Sequence, residues 1–217
     1  MVEDKANKPW RPMPSGRLSP HEAQGLLRVA VQLSLAVSFL LGSFVPSVTL
    51  MVLLWLYNDL NGSSTSPLLR NAVNTVGLSC FGWGATMTLL SGNIIREGQP
   101  ILKYWTALMG ATIATTVQAQ DFADTAGDIA RGRLTIPVVY GSSLARWSPA
   151  VPAVIWSIAV PAFWDVTPIV WLAILIVGGA MVTLRWDRKS NERVWQLWCL
   201  WQTAMYLLPL FWHVTIP

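Results

Sequence analysis

Apolar runs of about bilayer-crossing length recur along nearly the whole chain, and this repetition restricts the fold more than any other feature. They cover roughly residues 25–42, 44–57, 71–91, 102–120, 147–164, 168–185 and 194–214, and most approach the ~20 residues that a spanning helix needs at 1.5 Å per residue. With 53% of residues hydrophobic and 12% charged, the chain carries more apolar surface than one soluble core would bury. The expected fold is all-α, a polytopic transmembrane helical bundle of about seven spans. Many of the thirteen Trp, including Trp55, Trp105, Trp147, Trp164, Trp186 and Trp195, stand near the ends of these runs. Their rings suit the boundary between headgroups and hydrocarbon.

Residues 25–57 could form one long helix, but Gly42, Ser43 and Pro46 interrupt it, and an unbroken helix of that length would approach ~50 Å. The distribution of positive charge separates the two cases. With seven spans, thirteen of the fifteen Lys and Arg fall on one side and only Arg96 and Lys103 on the other. With six, the division is eight against seven, which the accumulation of Lys and Arg in cytoplasmic loops would not produce. Seven spans gather the N-terminal segment and the segments 58–70, 121–146 and 185–193 into one polar cap, expected on the cytoplasmic side, with the endoplasmic reticulum as the expected membrane. The basic residues follow topology and form no continuous patch for nucleic acid. Residues 1–20 hold Lys5, Lys8, Arg11 and Arg17 but no apolar core, so they are neither a signal peptide nor a span. Cys80 and Cys199 lie inside apolar runs without metal-ligand spacing and read as small packing residues.

The segment following the fourth run places Asp121, Asp124 and Asp128 at i, i+3 and i+7, one face of a helix. Like charges so close repel unless a cation sits among them. Oxygen-only ligands favour magnesium or calcium over zinc, and magnesium typically shares a few carboxylates with substrate phosphates. Arg131 and Arg133 follow, and guanidinium groups grip phosphate oxygens in fork geometry. The expected ligand is a magnesium diphosphate. Near the start, Asp4, Asn7, Lys8 and Arg11 lie among Pro9, Pro12 and Pro14. The prolines predict an extended loop, Gly16 a turn, and Ser19 with Glu22 a capping box for the next helix.

Together these segments resemble the UbiA superfamily of intramembrane prenyltransferases, its membrane-bound terpene cyclase branch included. The continuation of that family's first Asp-rich motif, Asn-x-Pro-x-Arg-Pro-x-Pro-Ser-Gly, is matched by Asn7, Pro9, Arg11, Pro12, Pro14, Ser15 and Gly16, which makes Asp4 the motif's last aspartate. The second motif, Asp-x-x-Asp-x-x-Gly-Asp, is matched by Asp121, Asp124, Gly127 and Asp128, with Arg131, Gly132 and Pro137 continuing the likeness. Tyr57, Asn58 and Arg70 resemble the family's Tyr near a helix end and the basic residue after the next loop. The resemblance implies Mg2+ as cofactor, held with a diphosphate by Asp4, Asp121, Asp124 and Asp128. It implies Lys8, Arg11, Arg70, Arg131 and Arg133 on the diphosphate, and Asn7, Tyr57 and Asn58 in the substrate pocket. It also implies a single domain over 1–217, with the first helix and the start of the first motif falling before Met1.

The implied activity is transfer of a prenyl group from an isoprenyl diphosphate to a lipophilic acceptor within the membrane, with membrane lipid as surroundings and no protein partner indicated. Two alternatives stand beside it. A class I transmembrane terpene cyclase would let farnesyl diphosphate attack itself. A shortened homologue without the first aspartates would not catalyse. Trp83, Trp105 and Trp156 are candidates for stabilising a carbocation through their ring faces, beside the plainer roles of packing and facing lipid.

Overall fold

The computed structural model describes residues 2–91, 100–183 and 188–211. Among them every regular element is helical: α1 Val2–Asn7, α2 Pro20–Leu40, α3 Phe44–Asn58, α4 Pro67–Ser91, α5 Pro100–Thr116, α6 Asp121–Arg131, α7 Ile136–Tyr140, α8 Ser142–Ala145, α9 Trp147–Phe163, α10 Pro168–Thr183 and α11 Arg188–Leu207. Short 3-10 turns at Val117–Gln120 and Leu208–Phe211 extend α5 and α11. The seven apolar runs are thus helices α2 to α5 and α9 to α11. Arg96, Arg185 and Trp186 lie outside the described residues. Among those described, α2 alone is long and apolar enough to cross a membrane by length and composition; α3, α9 and Pro168–Ala180 of α10 are apolar but shorter.

The chain forms two compact units, one of residues 1–110 and 124–135, the other of residues 111–123 and 136–217. In the first, α2 packs on α3 and α3 along α4. Gly42 separates α2 from α3 with φ +75°, a conformation glycine adopts without steric cost. A Cβ at this position would stand 2.7 Å from that of Ser91, whose hydroxyl donates to the Leu41 carbonyl at 3.0 Å. The end of α4 therefore seats against the break, and the single long helix does not form.

The start of α2 is fixed as its sequence predicts. The Glu22 amide donates to the Ser19 hydroxyl at 3.3 Å, and the Ser19 amide to the Glu22 carboxylate at 2.9 Å. The residues before this cap depart from expectation. Residues 8–18 are compact, with Arg11 N bonded to Lys8 O at 3.1 Å, Ser15 N to Arg11 O at 3.0 Å and Leu18 N to Pro12 O at 3.1 Å. Proline fixes φ near −65°, which suits turns as well as extended chain, and Gly16 at φ +76° closes the series.

Along α2, Ser38 is the buried residue, while Leu26, Leu27, Leu33, Phe39 and Leu40 stand exposed, Leu40 at 81%. Contiguous apolar exposure on this scale is foreign to a water-facing surface, and hydrocarbon is the solvent that suits it. Cys80 is buried, as a packing residue should be, but Cys199 is exposed, since its side of α11 faces outward.

In the second unit α10 packs on α9 and α11. Val117, Ala153, Val160, Trp201 and Met205 are fully enclosed. Polar side chains stitch this core: Trp198 Nε1 donates to Thr116 Oγ1 at 2.8 Å, Trp201 Nε1 to Ser157 Oγ at 2.9 Å, and Gln202 Nε2 to Thr112 Oγ1 at 3.2 Å. Between helices in lipid each such bond contributes about 0.6 to 2 kcal/mol. Gly178 permits the close approach of α10, because a Cβ there would overlap the Ser157 hydroxyl. Pro152 and Pro161 lie inside α9, tolerated where neighbouring groups satisfy the freed carbonyls.

Candidate functional site

Helix α6 is amphipathic in the reverse of the usual sense. Asp121, Phe122, Gly127 and Asp128 are buried, whereas Ala126, Ile129 and Ala130 are exposed. A helix in water buries its apolar stripe; this one turns carboxylates inward and an isoleucine outward. The sequence ends α6 with Gly132 at φ +73°. Gly132 N then bonds Ile129 O at 3.1 Å and Arg133 N bonds Asp128 O at 2.9 Å, the paired closure of a glycine-terminated helix. That closure reverses the chain and returns the Arg133 guanidinium to the Asp128 carboxylate at 3.4 Å, with 4% and 0% of the two side chains exposed.

Two further elements of the same unit meet this helix. The α1 end presents Asn7, whose Nδ2 donates to the Asp124 carbonyl at 3.1 Å and its carboxylate at 3.4 Å, and whose Oδ1 accepts from Gly127 N at 3.0 Å. Lys8 Nζ reaches both Asp124 oxygens, at 2.8 and 3.2 Å. At the end of α3, the Tyr57 ring lies 5.4 Å from the Arg70 guanidinium and 5.7 Å from that of Arg133, within range of cation–π attraction. Arg70 is buried in the first turn of α4, where the Ser66 hydroxyl accepts from Leu69 N at 3.1 Å. Asn7, Lys8, Tyr57, Arg70, Asp124, Asp128 and Arg133 are therefore linked through α6 and one tyrosine.

The other expected site residues are placed differently. Asp4 pairs with Arg11 at 2.6 Å, both partly exposed. Arg131 is exposed on α6, Asn58 returns its amide to the Leu54 carbonyl of its own helix, and Asp121 is enclosed in the first turn of α6. Among the described residues no three His, Cys, Asp or Glu side chains converge as a ready-made metal cage. Magnesium does not require one: it keeps several waters and takes one or two carboxylates plus substrate phosphates. Asp124 and Asp128, oxygen donors one turn apart and flanked by basic groups, fit such a metal.

Of the aromatic candidates, Trp83 lines a cavity of about 510 Å³ with Met87, Leu90 and Lys103 between α4 and α5, Trp105 is buried, and Trp156 Nε1 donates to Thr115. Sequence reasoning passed over Asn74, one turn beyond Arg70 on α4, whose Nδ2 is buried without a hydrogen-bond partner among the described residues. An Asn four residues after an Arg inside an apolar run was the available signal.

The profile of the UbiA prenyltransferase family matches residues 1–212. The chain is 32% identical to the fumagillin β-trans-bergamotene synthase of Aspergillus fumigatus, over 96% of this chain and 72% of that protein. It is 30% identical to a digeranylgeranylglyceryl phosphate synthase of Methanobrevibacter smithii, over 65% and 50%, and 27% identical to the diterpene cyclase eriG of Hericium erinaceus, over 91% and 65%. No solved structure matches.

Proposed function

Because this chain belongs to the UbiA prenyltransferase family, we propose that it ionises an isoprenyl diphosphate with the help of magnesium and transfers the prenyl group to a lipophilic acceptor inside the membrane. The observation that carries this reading is the junction of Asp124 and Asp128 with Lys8, Arg133 and, through Tyr57, Arg70. Asp124 and Asp128 would hold the metal. Magnesium, when bound, neutralises charge on the departing diphosphate. Arg70 and Arg133 offer planar donors to diphosphate oxygens, Lys8 adds a point charge, and Asn7 keeps the N-terminal segment against α6. As the allylic carbon–oxygen bond breaks, its electron pair leaves with the diphosphate, and basic groups aimed at that developing charge lower the barrier. The apolar helices exclude water from the allylic cation, the acceptor supplies the electrons of the new bond, and the acceptor then loses a proton.

Intramolecular cyclisation is the second reading, favoured by the 32% identity to a bergamotene synthase over 96% of the chain. The two share ionisation and differ in what traps the cation. Membranes containing the protein should be incubated with farnesyl diphosphate and magnesium, with and without lipophilic acceptors, and the products separated. Prenyl transfer yields an adduct only when acceptor is present; a cyclic hydrocarbon formed without acceptor would establish cyclisation in its place.

The polar segments are assigned to the cytoplasmic side on the thirteen-to-two division of Lys and Arg, and the membrane is proposed to be that of the endoplasmic reticulum. A cysteine introduced at Ser64 should react with an impermeant maleimide in intact microsomes, whose outer face is the cytoplasmic one, or in cells whose plasma membrane alone is permeabilised. Labelling from the lumenal side would reverse the assignment.

A further inference from the structure

We infer that Lys8 is a tethered counter-cation for Asp124, held there until magnesium and diphosphate arrive together, so that the two ligands bind as a coupled pair. The inference rests on the metal-site reading above. Lys8 Nζ contacts both carboxylate oxygens of Asp124, at 2.8 and 3.2 Å, so a divalent ion that takes those oxygens must displace the ammonium. The backbone beside Lys8 has no freedom to retreat. Asn7 is pinned by its bonds to the Asp124 carbonyl and carboxylate and to Gly127 N, and Pro9 has its φ fixed by the ring. The ammonium therefore competes at the effective concentration of a short tether.

The side chain itself can move. It is 32% exposed, and its four-carbon stem can swing while the backbone stays in place. A displaced ammonium needs a new anion, and the neighbouring Asp4 carboxylate is already paired with Arg11 at 2.6 Å. Diphosphate supplies that anion. Metal alone displaces the ammonium to water, diphosphate alone meets a lysine already engaged, and the two together give the displaced ammonium an anion. By linkage, each ligand must tighten the other by the same factor.

The test is titration of the purified full chain in detergent with Mg2+, followed by calorimetry, in the absence and presence of inorganic pyrophosphate at matched free Mg2+. In the wild type, pyrophosphate should tighten Mg2+ about tenfold, a coupling of ordinary allosteric size. Lys8→Met should tighten Mg2+ alone about three- to fivefold, the factor corresponding to loss of one partly exposed ion pair, and lower the coupling factor by at least as much. Lys8→Arg should retain the coupling, and Lys8→Gln answers the same question if the Met variant fails to fold. Unchanged Mg2+ affinity and unchanged coupling in Lys8→Met would reduce Lys8 to a surface ion pair and overturn the inference alone. A wild type with no joint binding of Mg2+ and pyrophosphate would overturn the metal site and the inference together.

Discussion

Asp124→Ala should lower turnover of an isoprenyl diphosphate by about a thousandfold while leaving the fold in place. The size follows from losing charge stabilisation at the departing group, where even one well-placed donor is worth about 10²–10³ in rate. Preservation of the fold follows from geometry. Asn7 bonds the Asp124 main-chain carbonyl and Gly127 N, contacts that survive truncation of the side chain, and the lost ion pair with Lys8 is partly exposed, worth at most about 1 kcal/mol. The measurement is product formation together with the melting temperature in detergent. Turnover within tenfold of the wild type would mean that the metal is held elsewhere; a collapsed melting temperature would mean that Asp124 is structural.

Arg133→Met should have the largest effect on stability. Its guanidinium and the Asp128 carboxylate are both enclosed, and deleting one member of a buried pair leaves the other charged and desolvated, at a cost of about 3 to 5 kcal/mol. The 3.4 Å separation is long for a charge-assisted bond, which places the expectation near 3 kcal/mol, a drop on the order of 10 °C in melting temperature for a chain of this size. Adding Asp128→Asn should recover part of that loss, because the buried charge that lost its Arg133 partner is then gone. Activity should not return in the double variant, since the residues proposed to bind diphosphate and metal are both missing. A double variant no more stable than Arg133→Met would show that Arg133 stabilises the fold through contacts other than Asp128, such as the Tyr57 ring.

Much of the architecture was legible because membrane spans are local. A run of apolar residues declares itself without reference to anything distant, and Gly42 marks the break between α2 and α3 through its own backbone preference. The Ser19–Glu22 cap was legible for the same reason, as was the one-turn spacing of Asp124 and Asp128 on a helix; Asp121 is instead enclosed at the start of α6, and no three carboxylates converge among the described residues. Residues 8–18 were misread as extended because proline constrains one dihedral angle and leaves the other open. The core of the second unit was missed. Thr112 and Thr116, and Trp198 and Gln202, recur at four-residue spacing inside apolar runs, but only packing shows that each hydroxyl receives a particular indole or amide.

The sequence by itself determined an all-helical membrane chain with a carboxylate face on α6, because periodicity and hydropathy act over a few residues at a time. It also supplied the family resemblance that points to Asn7, Tyr57 and Arg70. The tertiary structure decided who meets whom. Lys8 takes Asp124 across 116 residues of sequence, Asp4 takes Arg11, and Arg70 and Arg133 converge on Tyr57. Those pairings depend on where helix ends come to rest, which is settled by the packing of long apolar surfaces rather than by the charged residues themselves.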